Sequence, residues 1–186
     1  MNIIEFLGWF GTCLYLLNHA YLSLYAKWRP PVYYWGNFLA AAALIVSSFV
    51  ISSWQAVAIN GFWAVISLLM IAGVSLRALP FTSYRLWLMI GIVAAIGAFA
   101  LWRSPEKVWS IISWLAAITF GLSYLLFCAE RLAPRHYQVA NVVAALGCMP
   151  QLWIDLNYAV FFLEFAWALI SARAVYKRYK EMHLID

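Results

Sequence analysis

The sequence contains an internal repeat. The segment 60–66, Asn-Gly-Phe-Trp-Ala-Val-Ile, recurs at 164–170 as Glu-Phe-Ala-Trp-Ala-Leu-Ile. The offset between these two segments also pairs identical residues upstream: Pro30 with Pro134, Tyr33 with Tyr137, Asn37 with Asn141, Ala40 with Ala144 and Ala41 with Ala145. A short gap before Pro134 extends the alignment back to Trp9 and Trp114, in the first apolar segment of each copy. Self-similarity over this length indicates two copies of one structural unit.

Composition decides the environment of these units. Hydrophobic residues make up 67% of the chain, charged residues 10%, and the mean hydropathy is +0.85. The apolar segments are each close to the roughly 20 residues that a helix needs to cross a bilayer, and none has the alternating pattern of a barrel strand. We therefore expect an all-α integral membrane protein. The three cysteines lie apart in apolar segments, so no metal or redox cofactor is predicted.

The segments predict seven transmembrane helices in a 3+1+3 order. An odd linker helix between two three-helix units keeps the two units parallel. The first apolar segment has no basic leader and no cleavage signal, so it is predicted to be a retained span. The predicted parts are the first repeat at 3–76, the linker with the fourth helix at 77–107, the second repeat at 108–176 and a basic tail at 177–186.

Positive charge predicts the orientation. With the N-terminus outside and the C-terminus cytoplasmic, every Lys and Arg except Arg103 and Lys107 lies on the inner side. The basic connection after the third span includes Arg77, Pro80 and Arg85. The net charge of +5 is accounted for in this way, so the lipid bilayer is the expected partner and nucleic acid is not.

Polar and aromatic residues recur together inside the predicted spans. Asn60 precedes Trp63 by three positions, and Glu164 precedes Trp167 in the same way, which places each pair on one helix face. Polar groups in a membrane turn away from lipid, toward a bundle or cavity. If the repeats pack about a pseudo-two-fold axis, these residues surround one aromatic-walled pocket suited to a polar, ring-shaped solute. Candidate binding residues are Asn60, Glu164, Trp63, Trp167, Asn37, Asn141, Tyr33, Tyr137 and His19.

Each candidate also has a structural interpretation. Asn37, Asn141 and Asn60 alternatively form hydrogen bonds that hold neighbouring helices together. Trp63 and Trp167 are alternatively packing residues, and His19 a satisfied residue of the helix bundle. Glu164 is either a protonated donor or proton-coupling group in the membrane, or a carboxylate that water reaches.

The repeat resembles known families. Gly8-Trp9 opens the first unit and Asn60 lies early in its third helix, as in the half-sized relatives of the SWEET sugar transporters, and the 3+1+3 arrangement is similar to SWEET proteins and nicotinamide riboside transporters. The pattern Gly-Trp, then Tyr and Asn, then Asn-x-x-Trp-Ala is more similar still to a family of small bacterial inner-membrane proteins. This resemblance implies a SWEET-like fold and solute transport.

The sequence also departs from the SWEET pattern. Those transporters carry a Pro-Gln hinge in the first helix of each unit, whereas spans one and five here contain no proline and Pro150-Gln151 lies in span six. Glu164 moreover replaces the amide that the repeat has at Asn60.

Two functions follow as hypotheses. The first is a transporter or facilitator in a bacterial inner membrane for a sugar, nucleoside or vitamin-like solute. The second is a non-transport module, an assembly subunit or an anchor for a partner protein. The exposed side of span four could also support homo-oligomers. An enzyme is not predicted, because no nucleophile and base, metal-ligand cluster or phosphate-binding loop stands out.

Overall fold

The computed structural model describes residues 2–25, 27–78 and 83–183, which form seven α-helices and no strand. Pro80 and residues 184–186, which belong to the predicted basic connection and tail, lie outside these ranges. Short 3-10 helices at Leu76–Ala78 and Pro105–Lys107 flank the fourth α-helix. The α-helices are α1 (Ile3–Leu24), α2 (Pro30–Val50), α3 (Trp54–Ile71), α4 (Ser83–Arg103), α5 (Val108–Cys128), α6 (Pro134–Ile154) and α7 (Tyr158–His183).

Local sequence explains where these helices begin. Asn2 and Glu5 form a reciprocal capping box at the start of α1, each side chain accepting a hydrogen bond from the other residue's backbone N–H. Pro30 and Pro134 occupy the first turns of α2 and α6, where a missing N–H costs nothing. Helix α7 continues to His183, so the described part of the predicted tail is helical.

The repeat extends to the turns between helices. Ser52 and Leu156 occupy matching positions after α2 and α6, and both adopt a left-handed backbone with φ of 58° and 56°. The next residue in each turn donates its N–H back into the helix, from Ser53 to Ser48 and from Asn157 to Leu152, each at 3.0 Å. These are the hydrogen bonds of a Schellman cap. Both copies therefore leave the second helix and enter the third with the same geometry.

Six helices close into a ring. Within each repeat the middle helix packs against both others, α2 against α1 and α3, and α6 against α5 and α7. The repeats then join through α1 with α7 and through α3 with α5. Because these two junctions use equivalent helices, an approximate two-fold axis relates the repeats, and the third helix of each meets the first helix of the other.

The ring buries several polar side chains among its apolar core and has an apolar exterior. Asn37, Asn141, Ser67 and Ser171 are fully buried, whereas large apolar side chains, among them Leu17 at 71% exposure, cover the outer faces. This distribution suits a surface surrounded by lipid. Within the described residues, four helical segments are long and apolar enough to cross a membrane: Pro30–Val50, Trp54–Ile71, Pro105–Cys128 and Tyr158–Lys177. Helices α1 and α6 are similar in length but carry more polar residues.

Helix α4 lies outside the ring. Among the described residues it packs mainly against α5 and the 3-10 helix Pro105–Lys107 that follows it. Gly97 allows close approach because a Cβ there would lie 2.8 Å from Leu115. Its other described side chains, including Ile96 and Trp102, are largely exposed. Helix α4 therefore links the repeats without contributing to the ring's interior.

Candidate functional site

A small cavity lies inside the ring, between the two repeats. Its volume is about 20 Å³, which accommodates roughly one water-sized group. It receives side chains from α1, α3, α5 and α7, so neither repeat forms it alone. The lining residues are Tyr15, Ile59, Asn60, Trp63, Phe120, Leu163, Glu164 and Trp167.

Four of the nine candidate binding residues line this cavity. Asn60 and Trp63 come from α3, and Glu164 and Trp167 come from equivalent positions of α7. All four are at least nine-tenths buried. The structure therefore brings together the two pairs that the repeat predicted to face each other.

The two polar residues of the cavity, Asn60 and Glu164, differ in their hydrogen bonding. The side-chain nitrogen of Asn60 donates to the backbone carbonyl of Ala56 at 2.8 Å, and its Oδ1 makes no hydrogen bond with a described residue, so this acceptor is available to a ligand. Glu164 is 4% exposed, and its Oε2 has no hydrogen-bond partner among the described residues. The cavity thus combines an amide oxygen with a buried carboxyl group.

Two crossed aromatic stacks support the cavity. His19 of α1 stacks on Trp167 with ring centroids 3.8 Å apart and planes 11° apart, and Tyr124 of α5 stacks on Trp63 at 3.9 Å and 7°. His19 and Tyr124 occupy matching positions in the repeat, so each first-helix ring covers the tryptophan of the other repeat. His19 was predicted as a binding residue, but it does not line the cavity and instead packs behind Trp167.

A serine anchors each stacked ring. Nε2 of His19 lies 3.0 Å from Oγ of Ser171, and the hydroxyl of Tyr124 lies 3.3 Å from Oγ of Ser67. Each serine follows its tryptophan by four residues, on the same helix face. Sequence reasoning missed both serines, although the spacing Trp-x-x-x-Ser in both repeats was visible.

Two further aromatic residues complete the wall. Tyr15 meets Trp63 and Trp167 edge to face, with centroids 5.8 Å away from each, and its hydroxyl has no partner among the described residues. Phe120 contacts Trp167 in the same manner at 6.5 Å. Tyr15 and Phe120 also match in the repeat. Their aromatic identity at equivalent positions of α1 and α5 is the signal that could have found them.

The remaining candidates form a separate polar layer. Tyr33, Asn37, Tyr137 and Asn141 lie near the beginnings of α2 and α6 and do not line the cavity. The amide nitrogen of Asn18 donates to Tyr33 O at 2.8 Å and to Oδ1 of Asn37 at 2.7 Å. Asn37 in turn donates to the Tyr124 hydroxyl at 3.0 Å. This layer reaches the cavity through Tyr124, which is stacked on Trp63.

The two copies of this asparagine differ. Asn37 is hydrogen-bonded through both side-chain atoms, whereas neither side-chain atom of Asn141 has a partner of normal geometry among the described residues. The hydroxyls of Tyr33 and Tyr137 are also buried, and no hydrogen bond of normal geometry reaches them from a described residue. Approximate symmetry of position has therefore not produced symmetry of bonding.

This difference predicts unequal effects of two equivalent substitutions. Asn37→Ala is expected to lower the free energy of unfolding by about 1–2 kcal/mol, because it leaves donors or acceptors of Asn18 and Tyr124 without that partner. Asn141→Ala, the matched control, is expected to cost less, since no hydrogen bond of normal geometry joins its side chain to a described residue. Thermal unfolding in detergent compares the two. An equal loss in both variants would contradict the assigned network.

Hydrogen bonds between the repeats cross both ends of the ring. Near the start of α3 and α7, Ser53 donates to Oδ2 of Asp155 at 2.9 Å, and Asn157 donates to Oγ of Ser48 at 3.1 Å. Near the opposite end, Gln138 donates to Oγ of Ser23 at 3.1 Å. The cavity lies between these two levels.

Comparison with known families divides the chain as the helices do. One family model matches twice, over residues 4–78 and 109–182. The chain belongs to this family. The first match covers α1 to α3 apart from Ile3, and the second covers nearly all of α5 to α7, so the family match supports the tandem repeat. The cavity draws on both matched segments.

Other comparisons add no functional relationship. No curated protein and no solved structure matches the chain significantly. The family match itself gives no support to the resemblance to SWEET proteins or to other transporters. Function therefore has to be argued from the cavity.

Proposed function

We propose that the protein is a multi-pass transporter or facilitator of the bacterial inner membrane that binds a small polar solute between its repeats. All seven helices cross the membrane in this proposal, with the N-terminus outside and the C-terminus cytoplasmic. The distribution of Lys and Arg supports this orientation, because it leaves only Arg103 and Lys107 on the outer side.

The proposal rests on the polar groups of the cavity. A carboxyl group and an amide oxygen face the same small space, inside an otherwise aromatic and apolar wall. Polar groups at membrane depth cost several kcal/mol when they lack partners, and they commonly mark the path of a solute. A few polar groups in an aromatic pocket also suffice to orient a polar ligand while the rings exclude water.

Solute entry requires one end of the ring to open. The present volume of about 20 Å³ holds a water-sized group and not a sugar or nucleoside. We place the entrance at the end where α3 and α7 begin, because Ser53–Asp155 and Asn157–Ser48 join short turns there. At the other end the side chains of Asn18, Asn37 and Tyr124 are linked within the buried core, and separating them would disturb the aromatic stacks.

Uptake into vesicles tests the proposal. Purified protein in liposomes is assayed with radiolabelled sugars, nucleosides and vitamins, beside Asn60→Ala, Glu164→Gln and the outer-face control Leu169→Ala. We expect one solute class to enter with the parent and the control, and about 10- to 100-fold more slowly with either cavity variant, because a charged or polar hydrogen bond to the solute is lost. Equal uptake in folded cavity variants, or no uptake of any class by the parent, would contradict the proposal.

The second candidate function is a non-transport module that anchors a partner. The observation that favours it is the exposed apolar side of α4, which the ring does not cover and which includes Ile92, Ile96 and Phe99. On this alternative, substitutions in the cavity change stability only, and substitutions on α4 change recovery of a partner or of a second copy. The uptake assay separates the two candidates.

A further inference from the structure

We infer that the cavity accepts the primary ammonium group of a small organic cation, such as an amino alcohol. The inference rests on the proposed function, since it specifies the ligand of the same cavity. Glu164 would supply the countercharge, and Asn60 and Tyr15 the remaining acceptors.

The polar atoms of the cavity favour a donor-rich ligand. Oε2 of Glu164 and the hydroxyl of Tyr15 have no partner among the described residues, and one of the two N–H groups of the Asn60 amide donates to Ala56. The cavity therefore offers three acceptor atoms from three helices. A primary ammonium carries three N–H donors and no acceptor.

The charged groups around the cavity also favour a cationic ligand. None of the described lining residues is basic, and Glu164 makes no ion pair within the described part of the chain. An ionised carboxylate in such a place is stable only with a cation close by, and without one the carboxyl group takes up a proton. An anionic ligand would meet the carboxylate with no opposing charge, so a cation is the complementary solute.

The aromatic wall distinguishes an organic cation from a proton alone. Tyr15, Trp63, Phe120 and Trp167 all line the cavity, and the stacks with Tyr124 and His19 occupy one face of each tryptophan. Aromatic rings around a cation contribute electrostatic attraction beyond simple packing. The indole Nε1 of Trp167 is a buried donor without a described partner, which suits a hydroxyl oxygen elsewhere on the ligand.

The size of the cavity selects among ammonium groups. Its volume of about 20 Å³ suits a small group such as a primary ammonium. A quaternary ammonium is larger and has no N–H to donate, so it would leave the three acceptors unsatisfied.

Three probes of similar backbone test the inference. Ethanolamine, which is cationic at pH 7, is compared by titration calorimetry with the neutral ethylene glycol and the quaternary choline. The parent is measured beside Glu164→Gln, Glu164→Asp and Leu169→Ala. We expect saturable binding of ethanolamine, at least tenfold weaker binding of the other two probes, and at least a tenfold loss in Glu164→Gln with partial retention in Glu164→Asp. Size-exclusion profiles identify any variant that has not folded.

Several outcomes would overturn the inference. Ethylene glycol or choline binding as tightly as ethanolamine would show that the site does not recognise a primary ammonium. Undiminished binding of ethanolamine in folded Glu164→Gln would show that the carboxylate does not contribute to binding. A neutral solute identified by uptake, with no ethanolamine binding, would refute the cation while leaving the proposed function intact. Failure of every solute to bind or enter would refute both.

Discussion

Trp167→Ala is expected to lower the free energy of unfolding by about 3–5 kcal/mol, the usual cost of truncating a buried tryptophan. Trp167 is 4% exposed and stacks on His19, and its edge contacts reach Tyr15 and Phe120. Its removal leaves four helices facing an enlarged void. Trp167→Phe keeps an aromatic surface in place and should recover part of the loss.

Unfolding in detergent, followed by circular dichroism during heating, measures this effect. Trp102→Ala is the matched control, because Trp102 is 74% exposed on the outer face of α4, and surface substitutions usually change stability by about 0.5 kcal/mol or less. A loss in Trp167→Ala no larger than in the control would show that the crossed stacks do not hold the repeats together.

Moving the carboxylate from α7 to α3 is expected to preserve ligand affinity. Glu164→Asn alone should weaken binding of ethanolamine about 10- to 100-fold, since a charged hydrogen bond is lost. The double exchange Asn60→Glu with Glu164→Asn should return affinity to within about threefold of the parent, about 0.6 kcal/mol. The physical reason is that positions 60 and 164 are equivalent in the repeat and line one cavity.

Titration calorimetry on the parent, the single variant and the exchanged variant measures this recovery. Asn60→Glu alone, which places two carboxyl groups in the cavity, is the control for added charge. If the exchanged variant binds no better than Glu164→Asn, the carboxylate acts only from α7, and the cavity does not use the two-fold relationship of the repeats.

The repeat predicted the centre of the site because it supplies both position and symmetry. Asn60 with Trp63, and Glu164 with Trp167, each share a helix face, and equivalent faces of related units meet at a two-fold axis. These residues do line one cavity. The number of helices could also be predicted, since each apolar segment ends at prolines or at short polar turns.

The rings that stack behind the two cavity tryptophans could not be predicted from helix faces alone. Periodicity states which residues share a face but not which helix of the other repeat covers that face. The contacts of α1 with α7 and of α3 with α5 place His19 on Trp167 and Tyr124 on Trp63. His19 therefore packs behind Trp167 and is not among the residues that line the cavity.

The polar layer around Asn37 shows a second limit of the sequence. Identical residues at Asn37 and Asn141 predicted identical roles. The neighbouring helices α1 and α5, however, have diverged in sequence. Asn18 of α1 corresponds to Ser123 of α5, and serine is too short to repeat the contact with the neighbouring asparagine. Asn37 is therefore bridged by Asn18, and Asn141 has no counterpart to that bond.

The central claim is that the two repeats enclose one ligand-binding cavity, and thermal stabilisation tests it most directly. Parent protein and the Asn60→Ala, Glu164→Gln double variant are heated in detergent with sugars, nucleosides, vitamins, amino acids and amines. A ligand at a hundred times its dissociation constant adds about 2.7 kcal/mol to stability. We predict that one chemical class stabilises the parent and not the double variant. No stabilisation of the parent by any class, with a double variant as stable as the parent, would contradict the claim.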